Sequence, residues 1–505
     1  MVQLNVYPEQ NFTVGPQLFG SFLEHMGTVI YTGVYEPTHP TATAEGFRGD
    51  VLQLVQALGI KTLRYPGGNF TSSYHWEDTV GPKDQRPKRM NIAWQSLETN
   101  QFGLHEFFSW AAQAGIDNPI LTVNLGTRGI DDALNELEYV NGRFDTYWAN
   151  KRRQNGHPEP FGVKYWCLGN ELDGPWQVAR QTPEAYGLLA NETAKAMKLM
   201  DPQIETILVG SSTPNLDSYP EWDFKVLMAA YDNVDFIAMH NYIDRAQSEN
   251  LDQEAVRAAD DLPTYLAKSL SFDRQIDEVA TIADAVKALK HSDKTMKISF
   301  DEWNVHHFSQ KQPTPWGEHN PVDWCYFDLA DTLLFGSMAL AILRHGDRVK
   351  LSCQALLVNT IPLILTDEAG AAWANPTYYV LQALLAQLSD ESRVLKTDLI
   401  GAVTYDTAEF LAVPMIDQVL IDTGTSYVLF AVNRGEETQT LAITLPQPAV
   451  SGQHQVLCGA LDAQNTREHP HTLTPQTKPL IVATGAVAQQ VSLPGYSWNV
   501  VTFNY

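Results

Sequence analysis

The chain has 505 residues, 44% of them apolar and 18% charged, a globular make-up too long for one ordinary core, so a large domain plus a smaller one is expected. A formal net charge of −25 argues against nucleic acid and anionic membrane as partners. The four scattered cysteines (Cys167, Cys325, Cys353 and Cys458) form no dense framework, no apolar run reaches about eighteen residues, and no basic segment with an apolar stretch opens the chain, so the expected address is the cytoplasm.

In chain order, the run Val2 to Tyr7 is expected to pair into a sheet formed by the far end of the chain. From 16 to 387, short apolar runs alternate with longer helical patterns. Strands are predicted at 18–24, 62–66, 120–125, 165–168, 207–210, 236–240, 298–300 and 349–356, each apolar on both faces as a helix-covered parallel sheet requires. Thr182-Pro183-Glu184 supplies an N-cap, a first-turn proline and an early acid for a helix that stops before Asp201-Pro202. Ile276, Val279, Ile282, Val286 and Leu289 recur at helical spacing as one apolar stripe. Eight such units predict an α/β chain, a (β/α)8 TIM barrel whose long loops after the strands build the site. From 388 to 505 the texture becomes β-rich, with runs at 399–404, 418–420, 426–432, 439–444, 480–482 and 498–503. This predicts a C-terminal all-β, jelly-roll-like sandwich, with residues 1–15 as its added strand.

Two glutamates end apolar runs, Glu171 in Tyr-Trp-Cys-Leu-Gly-Asn-Glu and Glu302 in Ile-Ser-Phe-Asp-Glu-Trp. A carboxylate at the exit of a buried strand needs a reason, because burying charge is costly. Active sites of such barrels lie at the C-terminal ends of the strands. By that rule the candidates are Glu24 and His25, Arg64 and Asn69, Asn124, Asn170 and Glu171, His240 and Tyr242, and Asp301 and Glu302. Two carboxyl groups about 5 Å apart suit a retaining glycosidase, and an inverting pair needs roughly 6.5–9.5 Å. The twelve tryptophans and twenty tyrosines suit sugar faces, although most are expected in the core.

Longer stretches point further. They include Phe19-Gly-Ser-Phe-Leu-Glu24-His, Arg64-Tyr-Pro-Gly-Gly-Asn69-Phe, Ala93-Trp94, Glu98-Thr-Asn-Gln-Phe-Gly, Trp166-Cys-Leu-Gly-Asn-Glu171 and Ser299-Phe-Asp-Glu302-Trp-Asn-Val. In this set, which spans most of the barrel in order, the chain resembles the α-L-arabinofuranosidases of glycoside hydrolase family 51. The resemblance implies that Glu171 is the acid/base, Glu302 the nucleophile, and Asn170 a partner of the sugar 2-hydroxyl. It implies that Glu24, Arg64, Asn69, Trp94, His240 and Tyr242 line the furanose subsite or support the carboxylates. For Arg64, substrate contact and a buried ion pair with Glu302 stay equally open. The implied substrate is an arabinofuranosyl-containing oligosaccharide cut from its non-reducing end, and the implied assembly is a homo-oligomer, a hexamer.

Two positions depart from the family pattern. His306-His307 follows the Glu302 motif where an aromatic is usual, so His306 is expected to alter the aglycone side of the cleft. Adjacent histidines rarely converge on one ion, so no metal and no cofactor is expected. On the eighth strand the expected sugar-binding Gln is Leu356, with Gln354 one layer deeper on the same face. The alternatives are an endoglycanase or β-xylosidase on the same barrel and a non-catalytic carbohydrate-binding protein. The latter would be marked by loss of one catalytic glutamate, and both are present.

Overall fold

The computed structural model describes residues 2–245, 261–307, 315–318 and 325–505. The chain opens with β1 (Val2–Thr13), then enters a barrel through β2 (Phe19–Phe22) and β3 (Thr62–Tyr65). A short hairpin, β4 (Arg89–Asn91) and β5 (Ser96–Glu98), lies in the loop after β3. The barrel continues with β6 (Asn118–Thr122), β7 (Tyr165–Cys167), β8 (Glu205–Leu208), β9 (Phe236–Ile243), β10 (Lys297–Val305) and β11 (Val349–Gln354). These eight strands close in the order β10-β11-β2-β3-β6-β7-β8-β9, every pair parallel. β2 and β3 are buried at every position, because side chains fill the barrel inside and helices cover it outside. The small pair β12 (Ile364–Thr366) and β13 (Ala372–Ala374) follows the last barrel strand.

Local chemistry sets the helices. Thr182 caps the helix Pro183–Met200, its side chain accepting from Ala185 N at 3.3 Å with Pro183 in the first turn. In the helix Leu270–Leu289, Ile276, Val279 and Val286 are buried as the stripe predicts, but Ile282 is half-buried and Leu289 is 59% exposed. The buried line runs instead through Phe272 and Ala283. Leu289 lies roughly a quarter-turn around the helix from that line, too far to reach the barrel.

Beyond the barrel come β14 (Arg393–Ile400), the short pair β15 (Thr404–Tyr405) and β16 (Val413–Pro414), β17 (Ile416–Asp422), β18 (Ser426–Asn433), β19 (Gln439–Thr444), β20 (Ser451–Cys458), β21 (Gln476–Pro479), β22 (Ala488–Leu493) and β23 (Ser497–Asn504). Among the described residues they form one hydrogen-bonded sheet, ordered β21-β20-β23-β18-β17-β14-β1-β19-β22. Its two halves fold over a shared core in which Leu441, Ile443 and Val491 meet Leu420, Leu429 and Val501. β1 runs antiparallel to β14 and parallel to β19. The strand expected at 480–482 lies just upstream as β21: Leu480 N still bonds to Gly452 O of β20 at 3.0 Å, and beyond it Val482 packs on this core while Ile481 is exposed. β20 and β22, with polar outer faces, were not expected.

The helix Leu329–Arg344 lies between barrel and sheet. It is apolar all round and nearly all buried because both sides of it are covered. Gly336 lets the sheet approach: a Cβ there would come 2.9 Å from the Trp498 ring and 3.3 Å from Val432. Among the described residues, no helix is long and apolar enough to cross a membrane.

Candidate active site

Glu171 sits where β7 gives way to its loop, whereas Glu302, expected at a strand end, lies inside β10, which stays paired with β9 as far as Val305. After β7 the chain turns through Gly169 at φ +101° and Glu171 at φ +46°. Left-handed backbone is ordinary for glycine but costs about 1 kcal/mol or more for glutamate, a strain that clusters at functional positions. At β10, consecutive residues of a regular strand would face opposite sides, yet the Asp301 and Glu302 carboxylates both turn into the barrel. The reason is a slip in pairing, between Ser299 and Glu302 against β9 and between Phe300 and Trp303 against β11. Bulges re-aim side chains in this way.

The two glutamates are held by different partners. Glu302 accepts from Arg64 Nη1 at 2.6 Å and from the Tyr242 hydroxyl at 2.8 Å. Glu171 accepts from Trp176 Nε1 at 2.6 Å through one oxygen, and the other lies 2.9 Å from His240 Nδ1. One oxygen of each glutamate and the His240 nitrogen all lie within 4.8 Å of one another. That spacing would also suit a cation, but the guanidinium and the imidazole already supply the positive charge, so hydrogen bonds account for the cluster.

Arg64 is fully buried. Its second amino group donates to Asn170 Oδ1 at 2.7 Å and its plane lies over the Phe22 ring, so the ion-pair reading of this residue describes its surroundings. Asn170 Nδ2 in turn donates to Asn69 Oδ1 at 3.2 Å. Glu24 accepts from Phe70 N at 2.8 Å and from Trp94 Nε1 at 2.9 Å. Gly68, at φ +28°, makes room for it, since a Cβ there would strike the Glu24 carboxylate.

Burial and neighbouring charge set the proton affinities. Burial first, and then the Glu302 charge, push Glu171 up, against the His240 and Trp176 contacts. Burial pushes Glu24 up to about 8, against the Phe70 amide, with the Glu302 charge adding to the rise. For His240, burial opposes the charged form but is outweighed by the Glu302 charge and by the Asp301 and Glu171 contacts, which hold it well above its usual value. Burial likewise opposes ionisation of Asp301, and Arg64 and His240 overcome it.

The remaining candidates divide. His306 is half-buried beside Tyr242, ring centroids 5.8 Å apart, and burial followed by the His307 charge holds it down to about 3. Gln354 is fully buried, taking a hydrogen bond from Ser21 Oγ at 3.0 Å and donating to Ile361 O at 3.3 Å. A buried amide must satisfy both its ends, so this one is committed to protein partners rather than to a ligand. Leu356 is 2% exposed in the turn beyond β11. His25 is bound by Glu98 and Tyr65 behind Glu24, and Asn124 braces the loop at Tyr74 and Thr127. Sequence reasoning missed Trp176, which is 50% exposed with its indole N–H on Glu171. Its signal was an aromatic in the same loop as the acid. Gly174 admits its ring, since a Cβ there would lie 2.7 Å from the indole.

Comparison with known proteins supplies the relatives. A family model described as α-L-arabinofuranosidase 1 domain matches residues 54–261, and one described as α-L-arabinofuranosidase C-terminal domain matches residues 301–497. An intracellular exo-α-(1→5)-L-arabinofuranosidase of Halalkalibacterium halodurans is 39% identical over 507 residues, covering 98% of this chain and 97% of its own. An exo-α-(1→6)-L-arabinofuranosidase of Bifidobacterium longum is 40% identical over 514 residues, covering 98% and 96%. Among solved structures, a family 51 α-L-arabinofuranosidase from Bifidobacterium longum superimposes with a TM-score of 0.91 at 37% identity, over 100% of this chain and 99% of that one.

Proposed function

The chain belongs to the α-L-arabinofuranosidases of glycoside hydrolase family 51, and we propose that it is an exo-acting, retaining enzyme that releases terminal α-L-arabinofuranosyl residues from arabino- and arabinoxylo-oligosaccharides with Glu302 as nucleophile and Glu171 as acid/base. The observation that carries this reading is the approach of the Glu171 and Glu302 oxygens to within 4.8 Å, each on a different set of partners. An approach of these oxygens to that distance supports a retaining pair, about 5 Å apart, over an inverting pair at roughly 6.5–9.5 Å. Relatives named as intracellular support action inside the cell on small imported oligosaccharides. The matching relatives include enzymes named for the 1→5 linkage and one named for the 1→6 linkage, at 39% and 40% identity.

The partners divide the labour. Glu302, ionised and held by Arg64 and Tyr242, attacks the anomeric carbon as the bond to the glycosidic oxygen breaks. Glu171, whose proton affinity is raised, delivers its proton to that departing oxygen. The ester formed on Glu302 removes a negative charge from beside Glu171, which stays ionised after that transfer and takes a proton from the incoming water. His240 and Trp176 donate to that ionised form. Water attacks the anomeric carbon, arabinose leaves with its configuration retained, and Glu302 is freed. Glu24, Asn69, Trp94, Asn170 and His306 complete the proposed sugar and aglycone contacts.

Glu302→Ala is expected to lose turnover on every active substrate, and azide to restore it with a glycosyl azide of inverted configuration. Full activity in that variant would refute the assignment.

A further inference from the structure

The slip in β10 turns two consecutive carboxylates into the barrel, and the function above uses only Glu302. Asp301 is 1% exposed below it. Its two oxygens face inward partners from three strands: His240 Nε2 at 3.3 Å, Cys167 Sγ at 3.4 Å and Arg64 Nε at 3.6 Å. The other nitrogen of the same imidazole, Nδ1, lies 2.9 Å from Glu171 and 3.7 Å from Glu302. The His240 ring therefore stands between carboxylates at both of its nitrogens. A neutral imidazole carries one N–H and one lone pair, so it would turn a lone pair toward one of them. Only the doubly protonated ring gives both sides a donor.

We infer that Asp301 is a positioning residue for the hydrolysis, holding His240 as an imidazolium so that its Nδ1–H donates to Glu171 and leaves the acid's proton free for the glycosidic oxygen. This rests on the two-glutamate reading above. The groups facing the pair from the surrounding elements are Arg64 on β3, Cys167 on β7 with Glu171 and Asp173 beyond it, Tyr242 on β9, Glu302 on β10, Cys353 on β11 and Tyr186 on the helix Pro183–Met200. Arg64 is the one fixed cation among them, and its amino groups are spent on Glu302 and Asn170. Asp301 is thus the carboxylate that faces the far nitrogen of His240.

With an uncharged residue at 301, His240 keeps its proton on Nε2 and turns the Nδ1 lone pair to Glu171. The acid then donates to His240 instead of to the leaving group, and its ionised form loses a neighbouring cation. Two readouts follow for Asp301→Asn. On an alkyl arabinofuranoside, whose departure needs an acid, kcat/KM is expected to fall at least about tenfold more than on a dinitrophenyl arabinofuranoside, whose departure does not. The alkaline limb of kcat/KM, set by loss of the Glu171 proton, is expected to shift to higher pH. Equal losses on the two substrates with an unmoved alkaline limb would reduce Asp301 to structural filling and overturn the inference. If the Asn side chain impairs folding, Asp301→Ser repeats both measurements. In a His240→Gln background the same substitution is expected to shift the limb no further, and a further shift would contradict the path through His240. Glu302→Ala, run alongside, separates the two readings. An inactive Glu302→Ala with a wild-type Asp301→Asn overturns only the positioning role, whereas an active Glu302→Ala overturns the two-glutamate reading itself.

Discussion

Trp176 and His240 each offer a donor to Glu171, yet they answer different needs. His240 is buried and hemmed by carboxylates, whereas Trp176 stands half in solvent at the mouth of the site. A donor that favours an ionised carboxylate lowers its proton affinity, so both contacts pull Glu171 down against burial and the Glu302 charge. Trp176→Phe keeps the ring and removes the N–H. Glu171 should then hold its proton to higher pH, and the alkaline limb of kcat/KM should move upward. A limb that stays in place or moves to lower pH would contradict the contact. The two catalytic candidates were legible in the sequence because a carboxylate that follows an apolar run is costly to bury and stands out against that run. The hydrogen-bond pairings were not, since they depend on Glu171 adopting φ +46° and on a slip in β10 that no spacing rule announces. Gln354 shows the converse. Its strand face was readable, but the claims of Ser21 and Ile361 on its amide come from segments whose approach no sequence pattern marks.

At the scale of elements, the barrel strands were readable because burial on both faces leaves continuous apolar runs, and all eight expected runs overlap observed strands. The sheet beyond the barrel was harder. β20 and β22 carry polar residues on an exposed face, while the strand expected at 480–482 lies just upstream as β21. The helix Leu329–Arg344 joins the two bodies, and its Gly336 lies against Trp498 and Val432 of the sheet. Gly336→Val would press a branched side chain against Trp498. Overpacking of this kind costs about 1–3 kcal/mol, and thermal unfolding should show a lowered midpoint. An unchanged midpoint would mean that the sheet is not seated on that helix.

For the whole molecule, the first strand lies in the sheet made by the last hundred or so residues of the chain, between β14 and β19, so the N-terminal segment is hydrogen-bonded into the C-terminal domain. Arg344 ties the barrel to the same sheet by charge, reaching Asp273 on the barrel side and Asp417 on β17. We propose that copies of this 56.4 kDa chain assemble into a homo-oligomer, a hexamer by family resemblance. Sedimentation equilibrium should report that multiple, and a species of single-chain mass at working concentration would refute it. The proposed reaction requires Glu302 to form a covalent bond to the sugar while Glu171 moves the proton. A 2-fluoro-arabinofuranosyl substrate with a good leaving group slows hydrolysis of that bond enough for peptide mass spectrometry. The adduct is predicted on the peptide at Glu302. An adduct on another residue, or a first-formed arabinose of inverted configuration, would overturn Glu302 as the nucleophile.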